Sequence, residues 1–233
     1  MPPLCVHCRR DRWRATPLCL LCHRKAKGMR LALPGAPVAE ASGEDQPFTS
    51  VRCLFRMGPQ ISTLIHGFKY RHMQRHILFL CEYFRFLPDL AEWARGFDAL
   101  IPVPIHRTRR RERGYNQAEN IARAASAHLG VPVLAHALIR TRMTGSQTKL
   151  NRKDRGVNLE KAFACPSPES LRGRRLLIVD DVFTTGATAR RCAELLLAAG
   201  AFEVGVLTLA RVETAVDLDD FALEMEAVSS YAS

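Results

Sequence analysis

Aromatic residues are scarce in this chain, 7% of 233 residues with two tryptophans and four tyrosines, and acidic residues are outnumbered, 23 against 34 lysines and arginines. The resulting net charge of +11 implies a preference for polyanions, whether nucleic acid, acidic lipid or a pyrophosphorylated small molecule, without choosing among them. No apolar run approaches the roughly 18 residues that cross a membrane. The amino-terminal MPPLCVHCRRDRW lacks a signal-peptide core, so a cytoplasmic protein is expected. No Gly-Lys-Ser/Thr follows the Thr-Thr-Gly loop at 184–186, which excludes a Walker A nucleotide site there. The eight cysteines lack the arrangement of a disulfide framework, in keeping with that compartment. What remains, with 47% apolar residues, is one substantial core with room for a small appendage.

The appendage is at the amino end. Cys5-x-x-Cys8 and Cys19-x-x-Cys22 make two knuckles separated by ten residues, the spacing of a four-thiolate tetrahedral zinc site in a ribbon. Zinc would supply folding energy that a segment of about thirty residues cannot find in a core. Four thiolates close the coordination shell, so the metal reads as structural; a redox pair or chance clustering is the alternative for such cysteines. His7 and His23 lie beside the knuckles and are expected to be solvated neighbours. Arg9, Arg10, Arg12, Arg14, Arg24, Lys25, Lys27 and Arg30 make the ribbon basic. Either they grip nucleic-acid phosphates or they keep a tiny domain soluble. Residues 1–32 are therefore read as a zinc ribbon, the small and proline-rich 33–49 as a linker, and 50–233 as the main domain.

The main domain is organised around RRLLIVDDVFTTGAT at 174–188. Leu176 to Val179 is a continuous apolar run of the kind buried on both faces of a parallel sheet, with Asp180 and Asp181 at its carboxyl end. In open α/β sheets that edge is where ligands bind. Phe183, Thr184, Thr185, Gly186, Ala187 and Thr188 then form a small loop with hydroxyls and a glycine, and the helix that follows offers its free N–H groups to an anion. Carboxylates beside an anion cradle suit a ligand carrying both vicinal hydroxyls and a phosphate, as a ribose 5-phosphate does. The alternative is a plain β-turn-α connection with surface acids.

Elsewhere the pattern gives a strand over Val51–Met57, a helix from Gly58-Pro59 with Ile61, Leu64, Ile65 and Phe68 on one face, and a second helix over Ile77–Phe86. A short helix follows Pro88. Phe97–His106 reads as a buried strand leaving the sheet through Pro102 and Pro104. The arginines at 107, 109, 110, 111 and 113 read as a polyphosphate-facing loop or a solvated nucleic-acid patch, with Arg113 favoured as polyphosphate-facing. A helix ended by Gly130 comes next. Residues 135–163 lack periodicity and are dense in basic side chains, including Lys149 and Arg155, which suits a flap closing over pyrophosphate. Glu203–Leu209 is a further strand, and the tail beyond Arg211 is acidic. Cys53 and Cys81 read as core packing.

VDDVFTTGAT resembles the phosphoribosyl pyrophosphate (PRPP) motif of type I phosphoribosyltransferases. With HGFKY at 66–70, PVP at 102–104, RERGYNQAENIA at 111–122 and SQTKLNRKDRGVN at 146–158, the chain resembles the ComF/GntX family of competence-associated proteins. The resemblance implies an α/β fold, with a mostly parallel sheet flanked by helices behind a small zinc ribbon. It also implies a pyrophosphate loop at Val103, a catalytic hood over 140–163, and a link to uptake of single-stranded transforming DNA. Two functions are compatible with it. In one, PRPP with Mg²⁺ loses pyrophosphate, Asp180 and Asp181 hold the ribose hydroxyls, and Arg113, Lys149 and Arg155 answer the leaving charge. In the other, the protein handles single-stranded DNA and competence partners without turnover, using the same site for a phosphorylated ligand.

Overall fold

The computed structural model describes residues 4–11, 16–29, 46–70, 74–142 and 162–212. The ribbon pairs Leu4 with Asp11 and runs into α1 (Leu20–Gly28). The main domain continues through β1 (Ser50–Arg56), α2 (Pro59–Tyr70), α3 (Gln74–Cys81) and a 3₁₀ turn at Glu82–Phe86. After these come α4 (Pro88–Ala94), β2 (Ala99–Pro102), α5 (Arg107–Arg113) and α6 (Gln117–Leu129). The chain is completed by β3 (Ile139–Arg140), β4 (Phe163–Ala164), a 3₁₀ turn at Pro168–Leu171, β5 (Arg175–Phe183), α7 (Ala187–Ala198) and β6 (Glu203–Arg211).

Four strands form a fully parallel sheet in the order β1-β6-β5-β2, which agrees with the buried apolar runs of the sequence. Alternation along β5 divides the core in two. Leu177 and Val179 join the cluster that holds Ile61, Leu64 and Phe68 of α2 and Ile121 of α6. Leu176 and Ile178 face the other way, toward Cys192 and Leu196 of α7. Each fully buried Leu, Ile or Phe contributes about 1.5–3 kcal/mol, and these two layers fix the sheet between them.

Several expectations change in detail. β5 does not end before the carboxylates but runs on to Phe183, because β6 keeps pairing as far as Phe183↔Arg211. β2 stops at Pro102, opposite Val179. The last ladder bond from this strand is the Val103 N–H to the Val179 carbonyl, so among the described residues Asp180 to Phe183 pair with no strand on the β2 side and the sheet opens at that edge. The arginine run is not a loop but the helix α5, capped by His106, whose Nδ1 accepts from the Thr108 N–H at 3.3 Å, and closed by left-handed Gly114. Residues 139–140 and 163–164 form a short antiparallel pair that periodicity could not reveal at two residues per strand. Phe48, inside the expected linker, is buried against Phe183 at 6.3 Å between ring centroids.

The ribbon is continuous with the main core. Leu18, Ala26 and the buried cysteines share one cluster with Leu54, Phe55 and Ile61. Its histidines are not solvated neighbours, because both rings are docked. His7 Nδ1 lies 2.9 Å from Thr63 Oγ1 and His7 Nε2 lies 3.2 Å from Gln60 Nε2, both on α2, while His23 Nε2 lies 2.7 Å from the Tyr83 hydroxyl. Arg12, Arg14 and Arg30 fall outside the described residues, as do most of the expected linker, the hood over 143–161 and the acidic tail.

Candidate functional site

At the open carboxyl edge, a cleft of about 50 Å³ is lined by Asp180, Val182, Phe183, Thr184, Thr185, Gly186, Ala187, Thr188, Ala189 and Thr208. It therefore gathers every residue of the loop that the sequence singled out. Gly186 is the N-cap of α7 with φ +75°, and a Cβ there would sit 2.9 Å from the Phe183 ring, so the turn needs glycine twice over. α5 and α6 receive side-chain caps, but α7 receives none. Apart from the Ala187 N–H, which reaches Thr185 Oγ1 at 3.5 Å, the first N–H groups of α7 and the Thr184 and Thr188 hydroxyls are thus left for an anion.

The paired acids occupy opposite faces of the sheet. Asp181 is 8% exposed and forms an ion pair with Lys69 of α2, Nζ to Oδ2 at 2.8 Å. Asp180 opens into the cleft, beside Thr208 in register on β6. Burial, then the charge of Asp181, pushes the Asp180 carboxyl up to about 7; the Asp181 N–H, Lys69 and Arg140 offset this in part. The Asp181 N–H donates to Asp180 Oδ1 at 2.8 Å. A carboxylate held this uncomfortably gains from any ligand hydroxyl that donates to it.

Val103 lies just beyond β2, with its N–H on the Val179 carbonyl at 2.9 Å. Asn116 pins it from the other side. Its Nδ2 donates to the Val103 carbonyl at 3.1 Å, and its Oδ1 caps α6 by accepting from the Ala118 N–H at 3.2 Å. The loop at Val103 is thereby tied to the amino end of α6, at the same edge as the cleft. Arg113 ends α5, half-buried, and its charge favours ionisation of the Tyr115 phenol, though burial dominates and raises that group. The Tyr115 hydroxyl donates to the Phe68 carbonyl, beside Lys69. Lys149 and Arg155 lie outside the described residues.

Lys69, expected in a polar cluster at the end of its helix that could face a ligand or another segment, and Arg140, expected in the basic flap, take part at this edge together with Asn116 and Thr208, which were not singled out from the sequence. Arg140 stacks 5.2 Å above the Phe163 ring, and its guanidinium pKa is lowered by burial and by Arg109, with Cys192 and Asp180 acting in the opposite sense. The pattern Lys69-Tyr70 after an apolar helix face was the one available signal for Lys69. For Thr208, on an otherwise apolar strand, there was none.

In the ribbon, the sulfurs of Cys5, Cys8, Cys19 and Cys22 all lie within 4.8 Å of one another, with Cys8 to Cys19 at 3.6 Å. Sulfurs about 2.3 Å from a tetrahedral ion are spaced just under 4 Å apart, so the cluster fits a metal ion. Burial raises the Cys5 thiol, yet N–H groups of Cys8, Cys19 and His7 outweigh it and bring its pKa down to about 6. Burial and the surrounding thiols push Cys22 up. Cys53 and Cys81 are buried in the core, as expected.

Residues 112–226 match the phosphoribosyl transferase domain family. The chain is 30% identical to the DNA utilization protein YhgH of Escherichia coli O157:H7 over 227 residues, spanning 91% of this chain and 98% of that protein. The chain belongs to the ComF family. It is also 40% identical to Competence protein F of Haemophilus influenzae over 49% of this chain, a match that spans half the length of that protein. Among solved structures, it resembles glutamine PRPP amidotransferase from B. subtilis with a TM-score of 0.41 and 20% identity, over 61% of this chain and 30% of that one. A ComF chain with a type I phosphoribosyltransferase fold and an amino-terminal cysteine cluster is what the sequence led one to expect. Among the described residues no helix is long and apolar enough to cross a membrane.

Proposed function

We propose that this ComF protein binds PRPP with Mg²⁺ at the carboxyl edge of its sheet and serves the handling of incoming DNA in the cytoplasm. The observation that carries the reading is the amino terminus of α7, whose N-cap glycine supplies no side-chain cap, lining one cleft with Asp180, an anion cradle and a hydroxyl acceptor side by side. Thr184, Thr185, Thr188 and the α7 amides take the 5-phosphate, with Phe183, Gly186 and Ala187 shaping the loop. Asp180 accepts from the ribose hydroxyls, and Asp181, through Lys69, holds α2 against the site. Val103 presents the pyrophosphate loop, and Arg113 and Lys149 answer the charge of the departing pyrophosphate. The oxygen donors at this edge are hard and suit Mg²⁺, which when bound would neutralise pyrophosphate and polarise it for departure. The ribbon cysteines hold a structural zinc ion.

The DNA role rests on the competence and DNA-utilization names of relatives and on α5, whose arginines include none that is buried. Calorimetric titration of the protein with Mg²⁺ and PRPP, repeated with Asp180→Asn, tests the ligand. Saturable binding that the variant loses supports the reading, and equal binding by both would sink it. Affinity for single-stranded DNA should fall steeply with added salt, and a flat response would count against phosphate contacts.

A further inference from the structure

One residue of the carboxyl edge is costly to the folded chain as it stands. Gln117 is the first residue of α6 and only 3% exposed, and its Nε2 makes no hydrogen bond among the described residues. A buried amide without a partner is destabilising, whereas leucine or methionine of similar volume would fill the same space without that penalty. Four neighbouring polar groups are not in this condition. Asn116 is engaged twice, Tyr115 donates to the Phe68 carbonyl, Asp181 is paired with Lys69, and Thr208 Oγ1 donates to Cys53 Sγ at 3.1 Å. Arg140 Nε and Arg191 Nε are also buried without a hydrogen bond, but each guanidinium has a further contact, Arg140 with the Phe163 ring and Arg191 with Glu194, whereas the Gln117 amide nitrogen has none among the described residues. Gln117 is one residue from the side chain that pins Val103, at the positive end of a helix of 13 residues.

We infer that Gln117 is a ligand-binding residue, whose side-chain amide donates to a phosphate or pyrophosphate oxygen held between the Val103 loop and the start of α6. The inference rests on the reading that this edge binds PRPP. A primary amide suits the task because it offers two N–H donors without adding a charge for the nearby carboxylates to neutralise. Its hydrogen bonds are supplied only when the ligand arrives, so the same group that weakens the free protein strengthens the complex.

The test uses the full-length, zinc-loaded protein and the variants Gln117→Leu and Gln117→Glu, with inorganic pyrophosphate plus Mg²⁺ and PRPP plus Mg²⁺ as probes. Without ligand, Gln117→Leu should unfold at a temperature about 2–4 °C above the parent, the direction opposite to that of a structural glutamine. Its dissociation constant for magnesium pyrophosphate should rise about tenfold. Gln117→Glu keeps the shape but presents acceptors to a phosphate, and should bind more weakly still. Gln117→Met repeats the measurement if leucine disturbs the first turn. A lower melting temperature in both apolar variants, or unchanged binding of both probes, overturns the inference. If the parent protein binds neither probe, the PRPP reading falls with it; if the parent binds and the variants bind equally, only the role of Gln117 falls. Asp180→Asn separates the contacts further, since it should lose PRPP through the ribose while retaining the Gln117-dependent pyrophosphate affinity.

Discussion

In the ribbon, each histidine ring has a partner: His7 is bonded through both nitrogens to α2, and His23 meets the Tyr83 hydroxyl. Among the described residues of the ribbon, the histidine ring nitrogens with bonds to the main domain are spent on docking. At the carboxyl edge of the sheet the opposite holds. The α7 N-cap is a glycine with no side chain to cap the helix, Asp180 is held near neutrality by burial and a like charge, and the Gln117 amide nitrogen lacks a partner among the described residues. A region that satisfies itself is built for structure, while a region left unsatisfied in the free chain is built for something that binds.

The largest way to test this contrast is to remove the metal. Because Leu18 and Ala26 belong to the same buried cluster as Phe55 and Ile61, stripping zinc with a chelator should lower the unfolding midpoint of the whole protein in a single transition. Binding energy of roughly 10 kcal/mol or more is at stake for such a site. Two separate transitions, with the main domain melting where it did before, would make the ribbon an independent appendage.

Next in size is the Lys69–Asp181 pair, with side chains 14% and 11% exposed. Lys69→Met leaves a buried carboxylate without its cation and should cost about 3–5 kcal/mol in denaturant unfolding. Adding Asp181→Asn should recover most of that loss, since the double variant carries no stranded charge. If the double variant is as unstable as the single one, Lys69 acts through packing and not through the pair.

Asp180→Asn should act in the other direction on stability while abolishing ribose recognition. The folded pKa of about 7 lies above the ordinary value of 3.8, so the native state holds the extra proton between these values and loses stability as pH rises through that window. The variant escapes this loss. Its melting temperature relative to the parent should climb from pH 4 to above pH 7, and a constant difference would show that Asp180 titrates normally. Ribose hydroxyls donate to the ionised form, so PRPP affinity of the parent should rise with pH up to about 7.

The sequence revealed the edge more fully than the docking. The apolar run at Leu176–Val179, the acids and the Thr-Thr-Gly turn are local patterns, and local patterns survive without coordinates. The separation of Asp180 from Asp181 followed from strand alternation, but only once β5 was seen to continue past them, and that continuation depends on β6, 20 or more residues downstream. The partners of His7 lie more than 50 residues away along the chain, at Gln60 and Thr63. Nothing near His7 distinguishes a docked ring from a solvated one. The arginines of α5 misled for a different reason: arginine is a good helix former, and a run of like charge reads as a loop only if its propensity is ignored.

The smallest expected effect bears most directly on what the ribbon histidines do. Thr63 Oγ1 donates to the Pro59 carbonyl at 2.7 Å, so toward His7 it must accept, which places the proton of the imidazole on Nδ1. Nε2 is then free to accept from the Gln60 amide, itself buried at 6% exposure. His7→Ala removes both contacts and strands that amide, a cost of about 1–3 kcal/mol. Zinc content, measured by mass spectrometry of the intact native protein, should stay at one ion per chain, because four thiolates already complete the shell. Loss of the ion with His7 would make this ring a ligand and the ribbon a site with its own unsatisfied chemistry, and the contrast with the sheet edge would then fail at its simpler end.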